Sequence, residues 1–446
     1  MKDVSRILLV AYATLTQAIP DPDWGQWTPS IGGDGPPYMY PRDAQQPRSK
    51  LCEVASGAPD GDDTPAILQA FKDCGQDGHI LFTNTTYKVG QAMNTTGLKD
   101  VDIELKGTME WSTDIDYWLN SSLRVGFQNQ STAWYLGGDN IRFFGHGYGT
   151  LNGNGDTWYV WNNGTSNAQG RPHAISIVNT TNSLIEGLRF IKSQMWTATV
   201  TRSERVELTN IYINNSCSAE ASQIHRCNVN TDGVDTIYAN NITFLRWTVE
   251  SGDDNISMKQ NSTNIYMANN TFVRGLGYAM GSIGQYKDQI NIIENITAVH
   301  TRFVDTDYAA RVKTWTGRST GLAPNGGGGG LGYARNISFT DFQLENVGIP
   351  WYIMQCTSYN GVSGGCDTSL FHIDNMNWGN ASGTIRQVNV ASLQCSGARP
   401  CTDVRIFGNE GLRVKENGTV PGGYLCDNVV EPRGFNCTGK APQVSG

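Results

Sequence analysis

The sequence predicts an all-β protein: a single-domain, right-handed parallel β-helix, or solenoid, with an N-terminal capping helix. Three observations carry this prediction. An Asn-Ile phrase recurs along the chain, glycine accounts for 51 of the 446 residues, and one short helical pattern lies near the start. Together they are typical of a chain that turns often and stacks short strands instead of building long helices.

The recurring phrase is a short alternating strand that begins with Asn. Its copies begin at Asn140, Asn210, Asn241, Asn264, Asn295 and Asn336. The Ile residues at 211, 242, 265, 296 and 337 follow one another at steps of 31, 23, 31 and 41 residues. Such steps are typical of a solenoid with loop insertions, because each coil buries its apolar face only against its neighbours. A β-sandwich is the alternative, and it would need antiparallel hairpin turns between paired strands.

The capping helix is predicted after residue 62. Asp62-Asp63-Thr64-Pro65 places an N-cap before a proline in the first turn, and the apolar residues that follow repeat at helical spacing as far as Cys74. A helix there can cover the open end of a solenoid, where strand edges would otherwise be unpaired. Residues 19–50, rich in Pro and Gly, are predicted to be an irregular extension. Residues 51–446 are predicted to be one domain.

The first 18 residues are predicted to be a secretory signal peptide. Lys2 and Arg6 precede an apolar run, and Thr16 and Ala18 are small residues before the expected cleavage point. We therefore expect a secreted, extracellular protein. No other apolar stretch approaches the ~20 residues of a membrane span, so no membrane partner is expected.

The charge balance argues against a nucleic-acid partner. The chain has 33 Lys plus Arg and 41 Asp plus Glu, so its formal net charge is 33 − 41 = −8. Nucleic-acid binders usually carry a basic excess.

The ten cysteines fit an oxidising compartment. Their close spacing predicts five sequential disulfides: Cys52 with Cys74, Cys217 with Cys227, Cys356 with Cys366, Cys395 with Cys401, and Cys426 with Cys437. No paired C-x-x-C motifs occur, which argues against a zinc site. We expect no metal and no cofactor. Asn-x-Ser/Thr sequons, among them Asn84 and Asn417, indicate surface glycans on a secreted eukaryotic chain.

Two acidic clusters are the strongest candidates for catalysis. The first, residues 230–235, contains Asn230, Asp232 and Asp235, and the second contains Asp253 and Asp254. Asp232 and Asp253 are 253 − 232 = 21 residues apart, about one coil, so they are predicted to be neighbours on adjacent strands. Carboxylates at so short a distance repel each other, and the repulsion raises the pKa of at least one of them. A protonated acid then lies beside a charged base, as glycoside hydrolysis requires. The alternative is an ordinary turn or a calcium-binding surface.

The next coils continue the pattern. A glycine-rich segment runs from Gly275 to Gly284, about one coil after Asp253, and Arg311 and Lys313 then share one strand face because they are two residues apart. Two cations on that face could hold a carboxylate of a substrate.

These four ordered motifs resemble the signatures of glycoside hydrolase family 28, the polygalacturonases and related pectinases. The resemblance implies a pectinase-like β-helix that hydrolyses pectic polysaccharide with inversion and acts as a monomer. Asp253 would be the general acid, and Asp232 with Asp254 would position and deprotonate the water. The resemblance assigns substrate contacts to Asn230, Gly277, Arg311, Lys313 and Tyr359.

The chain departs from the family at Leu276, where typical polygalacturonases carry His. The variant resembles the fungal exo-acting branch, the exopolygalacturonases and exorhamnogalacturonases, also called galacturan 1,4-alpha-galacturonidases. We therefore expect release of terminal galacturonic acid from homogalacturonan or rhamnogalacturonan. The open alternatives are another terminal sugar, such as rhamnose or a xylogalacturonan unit, a pectate-lyase-like β-helix, and a noncatalytic pectin-binding β-helix. The long step between Ile296 and Ile337 is expected to supply the wall that closes the groove.

Overall fold

The structure, a computed structural model, describes residues 48–59, 61–358 and 365–443. The predicted signal peptide and almost all of the predicted irregular extension lie outside these residues. The described residues form the helices α1 (Thr64–Cys74), α2 (Ile115–Ser121) and α3 (Gly155–Asn162), with a short 3₁₀ turn at Ala221–Gln223. None of these helices is long and apolar enough to cross a membrane.

Strands make up most of the described chain. In order they are β1 (Lys50–Glu53), β2 (Gln76–Phe82), β3 (Thr86–Val89), β4 (Met93–Leu105), β5 (Thr108–Trp111), β6 (Leu123–Arg124), β7 (Ser131–Thr132), β8 (Trp134–Phe144), β9 (Thr150–Asn152), β10 (Pro172–His173), β11 (Ile175–Val178), β12 (Thr181–Glu186), β13 (Arg189–Ile191), β14 (Ala198–Thr201), β15 (Glu204–Thr209), β16 (Tyr212–Asn214), β17 (Val234–Ile237), β18 (Asn240–Leu245), β19 (Thr248–Glu250), β20 (Ile256–Met258), β21 (Ser262–Ala268), β22 (Thr271–Val273), β23 (Tyr278–Ile283), β24 (Ile290–Val304), β25 (Tyr308–Trp315), β26 (Leu331–Val347), β27 (Ile349–Thr357), β28 (His372–Ile385), β29 (Asn389–Gln394), β30 (Thr402–Phe407), β31 (Gly411–Val414), β32 (Gly423–Asp427) and β33 (Gly439–Lys440).

The strands stack in parallel along three faces, which confirms the predicted β-helix. We call one of these faces the site stack; its central strands are β11, β14, β17, β20, β23, β25, β27 and β29. One residue column of the site stack runs through Val200, Thr236, Met258, Met280, Val312, Ile353 and Leu393. Because neighbouring parallel strands lie ~4.8 Å apart, residues of one column form a straight row along the axis.

The predicted capping helix is α1, and it packs against the first coils. Phe71 is buried, and its ring centroid lies 6.0 Å from that of Trp134 and 6.4 Å from that of Phe82. At the helix start, the Asp62 carboxylate accepts hydrogen bonds from the backbone N–H and the hydroxyl of Thr64. The helix therefore covers the apolar end of the solenoid, as the sequence predicted.

The repeated Asn residues form part of an exposed ladder. The Nδ2 of Asn295 donates to Asn264 Oδ1 at 2.9 Å, and the Nδ2 of Asn336 donates to Asn295 Oδ1 at 3.0 Å. All three have φ between 54° and 59°, a left-handed conformation that Asn tolerates better than most residues. Asn therefore recurs because it bends each strand and also bonds to the coil before it.

One part of the predicted repeat was wrong. Ile242, Ile265, Ile296 and Ile337 do share one column, but Ile242 pairs with Val206 and not with Ile211. The step there is 242 − 206 = 36 residues, because this coil contains the long insertion between β16 and β17. An Asn-Ile phrase at a turn and one in a strand look alike in sequence.

The five disulfides of the structure are the five sequential pairs expected from the sequence. Cys52–Cys74 joins β1 to the end of α1, so the cap is covalently tied to the first coil.

Candidate active site

The acidic motifs lie where the chain enters the site stack. Asp232 comes two residues before β17, and Asp254 comes two residues before β20. The Asn255 side chain fixes the second entry, because its Oδ1 accepts from the Gly277 N–H at 2.8 Å. Gly277 itself has a φ of +73°, and a Cβ there would lie 2.4 Å from the Tyr308 carbonyl oxygen. Only glycine fits this close approach without strain.

The register differs by one residue from the sequence prediction. Val234 pairs with Ile256, so Asp232 is level with Asp254, 254 − 232 = 22 residues later, and not with Asp253. The Gly233 N–H accordingly donates to the Asp254 carbonyl at 2.9 Å. One carboxylate oxygen each from Asp232, Asp253 and Asp254 nevertheless lies within 4.8 Å of the others. The predicted cluster of three carboxylates is therefore present.

The three carboxylates differ in how deeply they are buried. The side chain of Asp253 is 14% exposed and that of Asp254 only 5%, while Asp232 is buried and its Oδ1 has no hydrogen-bond partner. Asn230 donates to Asp253 Oδ2 at 3.2 Å. Asp253 thus lies nearest the mouth of the site, where a glycosidic oxygen could reach it.

The pKa values of the two deeper acids, Asp232 and Asp254, shift in opposite directions. Burial, and then the charges of Asp253 and its neighbours, raise the pKa of Asp232 well above its usual value. Burial alone would also raise the pKa of Asp254, but Arg311 and Lys259 outweigh it and hold that pKa below its usual value. Asp254 therefore favours the ionised form, and Asp232 favours the neutral form.

Arg311 contacts the protein and not only the cavity. Its Nε and Nη2 both donate to Asp254 Oδ1, at 3.1 and 2.5 Å, and Nη2 lies 3.8 Å from Asp253 Oδ1. The resemblance had assigned Arg311 to a substrate carboxylate. Lys313, two residues later, also lines the cavity.

Three carboxylates are a ligand set that a divalent cation could bind. Arg311 and Lys259 already neutralise Asp254, so we assign no metal here.

Sequence analysis missed Lys259, and it gave no role to Asp235, the last residue of the first acidic cluster. Asp235 is buried in β17, and Lys259 follows β20 and lines the cavity. The Lys259 Nζ lies 3.1 Å from Asp235 Oδ1 and 3.5 Å from Asp254 Oδ2. A signal was available, because a lysine directly after an apolar strand in the coil of the second acidic motif is unusual.

The cavity over the carboxylates has a volume of about 320 Å³, within the range of small-molecule sites. Its apolar lining comes from Leu276, Trp196 and Met354, and its aromatic side from Tyr308 and Tyr352. The last two also line a second cavity of about 480 Å³ in later coils. Sequence analysis missed both tyrosines. Tyr359, the expected substrate contact, lies outside the described residues, and Gly277 is not among the described residues that line the cavity.

Segments from earlier coils wall the cavity on one side. We call residues 123–132 the strap. The backbone N–H of Gln128 in the strap donates to Tyr286 Oη at 3.1 Å, and its side chain donates to Gln285 Oε1 at 2.5 Å. Phe127 packs its ring on Trp196 and Tyr286. The long step between Ile296 and Ile337, expected to supply the wall, contributes Tyr308, Arg311 and Lys313 to the cavity lining, all from β25. No described residue of its loop, 316–330, lines the cavity.

A second wall comes from the loop after α3. Ser166 and Asn167 line the cavity, and the Asn167 N–H donates to Asn230 Oδ1 at 2.7 Å. Asn230 is thereby fixed between this loop and Asp253. The cavity is therefore bounded by earlier coils on one side, and on the other side Tyr308 and Tyr352 lie between it and the second cavity.

Comparison with known proteins agrees with this arrangement. The family model for glycosyl hydrolases family 28 matches residues 79–430. The alpha-L-rhamnosidase rgxB of Aspergillus niger is 47% identical over 391 residues, covering 87% of this chain and 90% of that protein. The putative galacturan 1,4-alpha-galacturonidase A of Aspergillus flavus is 38% identical, covering 86% of this chain and 92% of that protein.

Solved structures agree on the fold. The endo-xylogalacturonan hydrolase from Aspergillus tubingensis superposes with a TM-score of 0.73 at 23% identity, over 89% of this chain and all of that one (100%). The polygalacturonase from Erwinia carotovora gives a TM-score of 0.62 at 16% identity, over 87% of this chain and 97% of that one.

Proposed function

This chain belongs to glycosyl hydrolases family 28, and from that membership we propose that it is a secreted, exo-acting hydrolase that releases single terminal sugars from pectic polysaccharide. It is a glycoside hydrolase, so the lyase and noncatalytic alternatives are set aside. Secretion is supported by the signal-peptide pattern of residues 1–18 and by five disulfides. We propose a monomer that needs no cofactor.

The observation that carries exo action is the one-sided closure of the cavity. The strap and the loop that contains Asn167 wall it from earlier coils, whereas Tyr308 and Tyr352 lead to a second cavity in later coils. A substrate can therefore place one end against the wall while its remainder extends past the tyrosines.

The carboxylate cluster supports acid–base hydrolysis. One carboxylate oxygen each from Asp232, Asp253 and Asp254 lies within 4.8 Å of the others, so an acid and a base can act on one glycosidic bond. Asp253, nearest the mouth, would give a proton to the leaving oxygen. Asp254, held ionised by Arg311, would draw a proton from the attacking water, with Asp232 helping to orient that water.

The terminal sugar is the finer part of the proposal, and we favour rhamnose over the galacturonic acid expected from the sequence. Leu276 and Met354 give the cavity apolar surface that suits the methyl group of rhamnose. Arg311, the expected carboxylate ligand, is bonded to Asp254. The 47% identical relative is named an alpha-L-rhamnosidase.

Galacturonic acid is the second candidate. Lys313 also lines the cavity and could pair with a sugar carboxylate. The relative named a putative galacturan 1,4-alpha-galacturonidase supports this reading.

Product analysis on defined oligomers tests the proposal. We expect digestion of rhamnogalacturonan oligomers with terminal rhamnose to release monosaccharide from the start, with slower or no release from homogalacturonan. On a polymer, solution viscosity should barely fall. A rapid loss of viscosity with a ladder of mid-sized oligomers would reject exo action, and preferential release of galacturonic acid would select the second candidate.

Stereochemistry gives an independent prediction. We expect inversion, because neither deeper acid is suited to attack the sugar. The oxygens of Asp254 face Arg311 and Lys259, and buried Asp232 favours its neutral form. NMR of the fresh product checks this, and a retained anomeric configuration would contradict it.

A further inference from the structure

A buried ammonium group lies beneath the carboxylate cluster. The Lys259 side chain is 6% exposed, and its Nζ donates to the Gly281 carbonyl at 2.8 Å. The same Nζ lies 3.1 Å from Asp235 Oδ1 and 3.5 Å from Asp254 Oδ2. One cation thus bridges a carboxylate that faces the cavity and one that does not line it.

Asp235 depends on this lysine. Its side chain is 0% exposed, and apart from the ammonium of Lys259 neither carboxylate oxygen has a hydrogen-bond donor. A buried ion pair is seldom retained for stability alone, because apolar residues of similar volume often serve as well or better. What an apolar pair cannot supply is a positive charge 3.5 Å from Asp254.

We propose that Lys259, held in place by Asp235, is a positioning residue that keeps the Asp254 carboxylate ionised for its work as base. The inference rests on the proposed function, since it assigns Lys259 to that reaction. Arg311 binds Asp254 Oδ1 from one side, and Lys259 approaches Oδ2 from the other. The carboxylate is therefore fixed in orientation as well as in charge.

Lys259 shares its surroundings with several other titratable groups. From β17 it faces Asp235, and Asp232 lies just before that strand. On β25, Arg311 and Lys313 act on Asp254. From β10 it faces His173, whose pKa is lowered to about 3 by burial and then by the charge of Lys259, so that ring is neutral. The Trp196 ring centroid lies 5.2 Å from Nζ and adds a cation–π contact.

These contacts determine the direction in which the acid limb of kcat moves when Lys259 loses its charge. Burial opposes the charge on Lys259, but Asp235 and Asp254 outweigh it and raise its pKa, so it remains charged through the acid range. The pKa of Asp254 is held below its usual value partly by Lys259. Without that charge the pKa of Asp254 rises. The base then becomes protonated at a higher pH, so the acid limb of kcat moves upward.

The test uses Lys259→Met, which keeps the length of the side chain and removes its charge. We expect kcat to fall about 10- to 100-fold and the acid limb of the kcat–pH profile to move up by about one pH unit or more. Lys259→Arg should restore most of the original profile. Lys440→Met, which removes an exposed lysine paired with Asp427 at 3.8 Å, is the matched control and should leave both unchanged.

The double variant Asp235→Asn/Lys259→Met separates positioning from folding. Because it removes both charges of the buried pair, it should recover the thermal stability lost in Lys259→Met while kcat and the shifted acid limb stay as in the single variant. A low kcat with the wild-type pH profile, or activity that returns with stability in the double variant, would overturn the proposal.

A failure of the proposed function can be distinguished from a failure of the Lys259 inference. Wild-type protein that hydrolyses none of the pectic oligomers would reject the function. The Lys259 inference would then be judged on stability against pH. The low pKa of Asp254 stabilises wild type above the carboxyl's unfolded pKa, and this contribution is lost as pH falls. We expect this contribution to be lost at a higher pH in Lys259→Met than in wild type. Identical profiles of stability against pH in the two proteins would overturn the inference.

Discussion

Asp253→Asn is expected to lower kcat by ~10² to 10⁴-fold while the fold is preserved. The amide cannot give a proton to the leaving oxygen, and no other carboxyl of the cluster is as exposed at the mouth as Asp253. The fold should survive because Asn can still accept the hydrogen bond that the Asp254 N–H donates to Oδ1 at 3.0 Å. Initial rates on a rhamnogalacturonan oligomer and a thermal melt measure the two effects.

Asp403→Asn is the matched control. Asp403 is a partly exposed acid paired with the exposed Arg433 at 2.9 Å, and it does not line the cavity, so its loss should change neither rate nor melting temperature appreciably. Near wild-type turnover in Asp253→Asn would reject Asp253 as the acid. In that case Asp232, whose pKa is raised by burial, would be the next candidate.

The fold could be predicted because its signals are local and repeated. Asn264, Asn295 and Asn336 each mark a coil, and the same side chains hydrogen-bond between coils in the structure. The capping helix could be predicted because Asp62 and Pro65 are local start signals. The Ile211 error arose where a long insertion separates β16 from β17, since a column cannot be followed across an insertion from sequence alone.

The site could be predicted only where it follows the coil spacing. Asp232 lies one coil before the adjacent Asp253 and Asp254, so their proximity followed from counting, with an error of one residue in register. The strap did not follow from counting. Gln128 contacts Gln285 across 157 residues, and no periodicity relates the two. Side-chain packing also determines which acid a cation binds. The spacing of Arg311 and Asp254 in the sequence therefore could not predict that they pair.

Arg311→Met is expected to destabilise the protein by roughly 3 to 5 kcal/mol at neutral pH, because it removes the guanidinium that donates twice to Oδ1 of the buried Asp254 carboxylate. In wild type the low pKa of Asp254 contributes stability above the carboxyl's unfolded pKa, and this contribution is lost as pH falls. In the variant that pKa rises, so the penalty should shrink toward acid pH as Asp254 takes up a proton. Denaturant unfolding at several pH values measures it.

The same variant decides between the two roles of Arg311. If it acts on Asp254, kcat falls for every substrate, whether the terminal sugar is rhamnose or galacturonic acid, and the acid limb moves to higher pH. If it instead holds a substrate carboxylate, only KM for acid-terminated oligomers rises, and stability stays near wild type. Arg335→Met, which removes an exposed arginine bonded to Glu294 at 2.6 Å, is the control and should alter neither property. Unchanged stability in Arg311→Met would therefore contradict the role on Asp254 and restore the carboxylate-binding role expected from the sequence.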